Sequence, residues 1–265
     1  MKEVPPWLIL HVPHDSTHIP AEVRHQFALS FEKLERELLA MTDHLTLDLF
    51  GHGVPPAQVV RAPVSRLVLD VERFEEDQFE PMALRGMGAV YTKTQDGQPL
   101  RHPLSDVQRN KLLEDWYRPH HAALTLASEN ALQASGLAVI VDCHSFPLQP
   151  LPYEIDQSAH RPQICIGTDA FHTPAVLVRL MVEAFESAGF VVGLDSPFSG
   201  SLVPTLYYKK DPRVLSIMVE VRRDVYLIDE TGLPNAEFGQ AARNIQQSLL
   251  KALENWQTLQ FYKTP

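Results

Sequence analysis

Short apolar runs alternate along this chain with longer segments of helical periodicity. Runs of apolar residues bounded by turn-forming residues predict strands at 7–10, 59–71, 137–141, 164–166 and 214–221. Apolar positions three and four residues apart predict helices at 30–50, 106–135, 174–187 and 236–256. Alternation of strands and helices is typical of α/β proteins, in which helices cover a sheet. The pattern therefore predicts an α/β sheet sandwiched by helices.

Proline, glycine and serine mark the ends of these elements. Ser30 is placed to cap the helix at 30–50, and Gly136 to end the helix at 106–135, which Pro119 interrupts. Pro63 interrupts the strand region at 59–71. No repeat or low-complexity linker divides the chain, so we expect a single domain over residues 1–265.

Two stretches, 74–105 and 146–162, are rich in proline or glycine and have no clear period. Long irregular loops inside a compact domain are often functional. We expect both stretches to form walls of an active-site mouth.

The most informative residues are two histidines that follow predicted strands. His14 comes after the run at 7–10, and His144 after the run at 137–141. In an open α/β sheet, residues beyond the carboxyl ends of strands face the crevice where ligands bind. Two imidazoles brought there from separate strands are suited to hold one metal ion, which points to metal-assisted hydrolysis.

A catalytic zinc site needs a third protein ligand, and Asp43 is our choice. On the predicted helix, this residue shares an apolar stripe with Leu39, Leu47 and Phe50. A carboxylate that faces the protein body is costly unless it is paired or coordinated. A salt bridge is the competing interpretation of Asp43, and the alternative ligands are Asp15, Asp70 and Asp142.

Glu220 directly follows residues 214–219 of the predicted strand and is the candidate general base. A base that activates water beside a metal needs a partly desolvated carboxylate with a raised pKa. The competing interpretation is a structural ion pair with Arg222 or Arg223.

Arg66 and Arg73 flank the segment 67–70 and are candidates for binding an anionic group. The planar guanidinium group is suited to bidentate capture of a carboxylate.

Composition limits the classes of partner. The 45% of apolar residues is ample for a packed core, and 23 basic against 33 acidic residues give a net charge of −10, which argues against a nucleic-acid partner. No apolar stretch approaches the roughly 20 residues needed to cross a bilayer. With only Cys143 and Cys165, we expect no disulfide and a cytoplasmic location. The expected partner is a small molecule, and the oligomeric state is left open.

Taken in order, these segments resemble the N-formylglutamate amidohydrolase (N-formylglutamate deformylase) family. The landmarks that carry the resemblance are Pro13-His14-Asp15-Ser16, Thr42-Asp43, the segment from Ser65 to Arg73, Asp96 to Leu100 with Arg109, Trp116 to His121, Asp142-Cys143-His144-Ser145, Gly167-Thr168, Pro197 to Gly200, and Glu220. Four features depart from the family pattern, and the first is Ser16, which partly replaces small spacing residues. Glu72 replaces an asparagine before Arg73, Ser201 replaces a second glycine after Gly200, and the segment 202–207 lacks an expected arginine.

The resemblance implies a phosphorylase/hydrolase-like three-layer α/β/α sandwich with a mixed, mostly parallel sheet, related to zinc carboxypeptidases and aspartoacylase-type deacylases. It implies hydrolysis of the amide bond of an N-acyl amino acid such as N-formylglutamate, a reaction of histidine degradation. One Zn²⁺ held by His14, Asp43 and His144 is expected, although manganese or iron also suit these donors. The implied roles of the remaining site residues are Glu220 as general base, Arg66 at the oxyanion, and Arg73, His121 and Ser145 in substrate binding. The alternatives are a zinc carboxypeptidase or another N-acyl amino acid deacylase, and a ligand-binding relative without catalysis.

Overall fold

The computed structural model describes residues 4–261, so the outermost residues of the predicted domain lie outside it. Its centre is a six-stranded sheet in the order β2-β1-β3-β6-β4-β5. The strands are β1 (Leu8–Val12), β2 (Val59–Arg61), β3 (Ala138–Phe146), β4 (Ile164–Gly167), β5 (Val192–Leu194) and β6 (Val214–Arg222). The first four strands of that order are parallel, β4 is antiparallel to β6, and β5 is parallel to β4. This confirms the mixed, mostly parallel sheet.

Helices cover both faces of the sheet. They are α1 (Ala21–Arg24), α2 (Phe31–Met41), α3 (Thr46–Phe50), α4 (Asp106–Leu112), α5 (Arg118–Ser135), α6 (Ala175–Ser187) and α7 (Phe238–Phe261). Along β1, Leu8 and Leu10 point to the face covered by α3, α6 and α7, whereas Ile9 packs with Leu124 and Ala131 of α5. The result is the predicted three-layer α/β/α sandwich. A two-stranded ribbon, β7 (Leu227–Ile228) and β8 (Leu233–Pro234), precedes α7.

A separate apolar cluster lies beside the sheet and includes the buried apolar residues of the irregular stretch at 74–105. Met87, Tyr91 and Leu100 are fully buried there against residues of α2 and α4. Only Met82 of the stretch lines the main cavity described below. Most apolar side chains of the stretch pack inward, and its expected role as a wall of the active-site mouth stays a prediction.

The helix predicted at 30–50 is interrupted, which changes the setting of Asp43. α2 ends at Met41 and α3 starts at Thr46, with Leu45 in the left-handed region at φ 61°. The backbone N–H of Asp43 donates to the carbonyl of His14 at 2.9 Å instead of continuing a helix. Asp43 is thus buried at a helix break and does not belong to a helical stripe.

The strand predicted at 59–71 ends at Arg61, because the segment beyond Pro63 turns back on itself. Ser65 accepts a hydrogen bond from the N–H of Leu67 at 3.1 Å, and Arg101 donates to the carbonyl groups of Leu67 and Val68. The apolar residues of this segment fill the separate cluster rather than a sheet.

The other helical predictions fit the structure closely. The helix at 106–135 is continuous through a π-helical turn, Leu113–Tyr117, just before Pro119, and Gly136 ends it at φ 69°. No helix among residues 4–261 is long and apolar enough to cross a membrane. Cys143 and Cys165 are buried and free, and the cytoplasmic location stays a prediction.

Candidate active site

The two candidate histidines meet at the carboxyl ends of β1 and β3. His14 follows β1 by two residues, whereas His144 lies inside β3, which is longer than predicted. Their ring centroids are 5.1 Å apart, and both side chains are buried. The neighbouring parallel strands thus bring together residues that lie far apart in sequence.

Each histidine is oriented by an aspartate on its Nε2 atom. His14 Nε2 donates to Asp70 Oδ1 at 2.8 Å, and His144 Nε2 donates to Asp142 Oδ1 at 3.1 Å. An imidazole held this way presents its other nitrogen, with a free lone pair, to a metal. Asp70 and Asp142, considered above as alternative ligands, each accept a hydrogen bond from one of these histidines. Asp15, the third alternative, pairs instead with Arg61 at 2.6 Å.

The two Nδ1 atoms point toward the same carboxylate oxygen of Asp43. Asp43 Oδ2 lies 3.6 Å from His14 Nδ1 and 3.1 Å from His144 Nδ1. His14 Nδ1 is buried and has no hydrogen-bond partner, so its lone pair is free to bind a metal. Burial would raise the pKa of Asp43, but its contacts with His14 and His144 outweigh burial and lower the pKa.

Glu72 is a second carboxylate within reach of the histidines. Its Oε2 lies 3.2 Å from His144 Nε2, and ligand atoms of His14, Glu72 and His144 lie within 4.8 Å of one another. The sequence marked Glu72 only as a departure from the family pattern beside Arg73. The signal in the sequence was an acidic residue directly before Arg73, the candidate substrate anchor, which indicated that Glu72 faces the site.

Glu220 enters the same cavity from β6. It lies opposite His144 in the β3–β6 register and is 7% exposed. Burial raises the pKa of Glu220 to about 8; His144 opposes this shift, and the carboxylates of Asp43 and Glu72 add to it.

The competing ion-pair interpretation of Glu220 has no support in the geometry. Within the described residues, Arg222 pairs with Asp224, and Arg223 approaches Asp43 and Asp229. Arg223 also lines the main cavity, with its Nε buried and without a hydrogen-bond partner.

The two predicted arginines differ in how firmly they are held. Arg66 donates from Nη2 to Asp70 Oδ2 at 2.9 Å and from Nε to the Tyr91 hydroxyl at 3.2 Å. Arg73 Nε is 3.9 Å from Asp70 Oδ2 and has no hydrogen-bond partner. Both arginines line the cavity. Arg66 is fixed in place, whereas Arg73 retains donors for a ligand.

These residues surround a cavity of about 300 Å³, named the main cavity because it holds the candidate histidines. Ser145 lines it, and the loop at 146–162 contributes wall residues that include Leu151, Tyr153 and Ile155. His121 lies elsewhere. It hydrogen-bonds the carbonyl of Val71 at 2.9 Å and lines an adjoining cavity of about 380 Å³. The structure thus does not bring His121 into the main cavity.

Fold and site together define a three-layer α/β protein with a histidine–carboxylate centre at the carboxyl ends of its parallel strands. The chain belongs to the N-formylglutamate amidohydrolase family, whose sequence profile matches residues 7–227. It is 26% identical over 207 residues to an N-formylglutamate deformylase of Pseudomonas putida, a match that covers 76% of each protein.

Solved structures with the same fold include an N-formylglutamate amidohydrolase of Ralstonia eutropha JMP134. That structure has a TM-score of 0.81 and 23% identity, and the match covers 96% of this chain and 95% of the other. A gene product of Agrobacterium tumefaciens has a TM-score of 0.67 and 20% identity, with coverage of 95% and 92%.

Proposed function

We propose that this chain is a metal-dependent amidohydrolase that cleaves the amide bond of an N-formyl amino acid, with N-formylglutamate as the first candidate substrate. The main support for this proposal is that the Nδ1 atoms of His14 and His144 converge on Asp43 Oδ2 in the cavity that Glu220 enters. Membership of the N-formylglutamate amidohydrolase family supports the choice of substrate.

His14, His144 and Asp43 are the proposed ligands of one divalent metal, with zinc as the first choice. Two imidazoles and one carboxylate suit zinc. The buried, unpartnered Nδ1 of His14 fits this assignment. Asp43 is preferred to Glu72 because it faces Nδ1 of both rings, whereas Glu72 faces the Nε2 of His144 that Asp142 already engages.

Local charge also favours a bound cation. Three guanidinium groups and five carboxylates meet at the site: Arg66, Arg73 and Arg223, with Asp43, Asp70, Glu72, Asp142 and Glu220. The carboxylates outnumber the guanidinium groups, and buried charges are retained only when they are compensated.

The proposed chemistry is the addition of water to the formyl carbonyl. A bound divalent metal supplies Lewis-acid activation of the water and of the scissile carbonyl. Glu220 accepts the proton of the attacking water at its carboxylate, and its raised pKa suits this role near neutral pH. It then returns the proton to the amine nitrogen as the C–N bond breaks, which yields formate and the free amino acid. The rigidly held Arg66 is assigned to the carbonyl oxygen, and Arg73 to a substrate carboxylate.

The test is turnover of N-formylglutamate by chelator-treated protein before and after addition of Zn²⁺, with formate measured directly. We expect formate release that depends on the metal. Full activity in metal-free protein would overturn the metal assignment. Release of amino acids from peptides without formate from N-formylglutamate would favour the carboxypeptidase alternative, and tight binding without turnover would favour a non-catalytic protein.

The third ligand is tested by metal content. In Asp43→Ala, zinc measured by mass spectrometry on folded protein should fall well below one equivalent. In Glu72→Gln, zinc should be retained. The opposite pattern would move the third position from Asp43 to Glu72.

A further inference from the structure

We propose a second divalent-cation site, formed by His11, Glu72 and Asp142 on the side of His144 opposite Asp43. One ligand atom of each residue lies within 4.8 Å of the others. His11 Nδ1 is 2.7 Å from Asp142 Oδ1 and 3.4 Å from Glu72 Oε1. Adjacent ligands about 2.1 Å from an octahedral cation lie roughly 3 Å apart, so these distances fit a cation that replaces the proton shared by His11 and Asp142. The second site rests on the proposed function in one respect, because the first metal site uses Asp43 and leaves Glu72 available.

The three ligands are held by partners that leave the required atoms facing one another. His11 Nε2 bonds to His120 Nε2 at 2.8 Å, so a proton on His11 Nε2 leaves Nδ1 as a donor to a metal. The Oδ2 of Asp142 accepts the N–H of Leu202 at 3.0 Å, which fixes the position of Oδ1. The Glu72 backbone is fixed by its N–H bond to Asp70 Oδ1 at 2.9 Å.

The second site has its own access. Glu72 and Asp142 line the adjoining cavity of about 380 Å³, together with His121 and Asp169. His14, Asp43 and His144 line only the main cavity, and Glu72 lies on the boundary between the two. A cation can therefore reach Glu72 and Asp142 without passing the first metal site.

The donor sets predict different metal preferences. One imidazole and two carboxylates form a harder set than two imidazoles and one carboxylate, so Mn²⁺ should prefer the second site and Zn²⁺ the first. A cation there would also neutralise the Glu72 carboxylate at the boundary of the two cavities.

The experiment uses the full chain, stripped with a chelator, loaded with one equivalent of Zn²⁺ and titrated with Mn²⁺. Free Mn²⁺ is followed by its electron paramagnetic resonance signal, and both metals are counted by mass spectrometry. We expect one zinc and one manganese per chain. Because loss of an orienting partner alone costs about 10- to 100-fold in metal affinity, loss of a ligand in His11→Asn or Glu72→Gln should raise the Kd for Mn²⁺ at least about a hundredfold. Both variants should retain zinc.

His172→Asn is the matched control, since His172 is a fully buried histidine outside the candidate metal groups, bonded to the carbonyl of Val214. It should keep both metals. If His11→Asn does not fold, Glu72→Gln decides, because Glu72 is partly exposed. Failure of the zinc-loaded parent to bind Mn²⁺, or full Mn²⁺ binding by both variants, would overturn the second site while leaving the proposed function intact. Loss of zinc from Glu72→Gln would assign Glu72 to the first site and also overturn the second. Binding of Mn²⁺ by a parent protein that fails to bind the added zinc would overturn the first site alone.

Discussion

Glu220 lies directly opposite His144 in the pairing of two neighbouring parallel strands, β6 and β3. Paired residues of adjacent strands project to the same face of a sheet, so the backbone register delivers the carboxylate and the imidazole together. Both strands are buried over nearly their whole length, which fixes this register firmly. The relative position of Glu220 and His144 is therefore a property of the central sheet, whereas the loop at 146–162 contributes to the cavity wall.

Replacement of Glu220 with glutamine tests its role as general base. We expect Glu220→Gln to fold and to keep its zinc, but to lower kcat by at least about a hundredfold, the usual scale for loss of a general base. The measurements are formate release, metal content and thermal unfolding. Near-normal turnover would remove Glu220 from the chemistry.

Asp70 is expected to act on the metal through His14. Asp70→Asn removes the carboxylate that accepts the His14 Nε2–H, so the affinity for zinc should fall by about 10- to 100-fold. Competition with a chelator of known affinity measures this change. Asp77→Asn is the control, since Asp77 is an exposed carboxylate that also pairs with an arginine, Arg109. Equal zinc affinities in the two variants would contradict the orienting role.

The sequence predicted the sheet and the meeting of His14 with His144 because both depend on where buried strands end. Asp43 was identified correctly as a buried carboxylate, but for a wrong local reason. Apolar periodicity continues through the break at 42–45, whereas the structure shows the helix stopping at the left-handed Leu45 and the Asp43 N–H bond to the His14 carbonyl.

The partners of His11 could not be predicted from the sequence. His11 lies in an entirely buried strand, and it bonds to Asp142 and His120, which are 131 and 109 residues away. Periodicity reports which face of an element is buried, but it contains no information on which distant side chains share that burial.

Glu37 on α2 should make stability depend on pH. Burial raises its pKa to about 7, the Gln95 N–H bond opposes the shift, and Asp96 adds to it. The folded state thus binds this proton more tightly than the unfolded state, in which the pKa of glutamate is 4.5. The contribution of Glu37 to stability therefore falls as pH rises from about 4.5 to 7.

Glu37→Gln removes this titration. Relative to the parent, the variant should gain about 1 to 3 kcal/mol between pH 4 and pH 8, as measured by chemical denaturation at both values. Glu35→Gln, at an exposed position on the same helix, is the matched control. A pH-independent difference between parent and Glu37→Gln would disprove the prediction.

Arg73 is expected to select the substrate through a carboxylate. Its Nε has no hydrogen-bond partner and its nearest acid, Asp70, is 3.9 Å away, so a planar pair of donors remains available to a ligand. Arg73→Lys should therefore lower kcat/KM nearly as much as Arg73→Ala, because lysine offers a point charge and no bidentate fork.

The comparison uses N-formylglutamate, its amidated derivatives and N-formyl amino acids with neutral side chains. Amides without the carboxylate should be poor substrates of the parent, since a site built around a buried charged partner discriminates strongly when that partner is missing. Equal rates with and without the carboxylate would exclude Arg73 from binding. A preference for neutral side chains would instead show that Glu72 offsets its charge, and would replace N-formylglutamate with another N-formyl amino acid as the substrate.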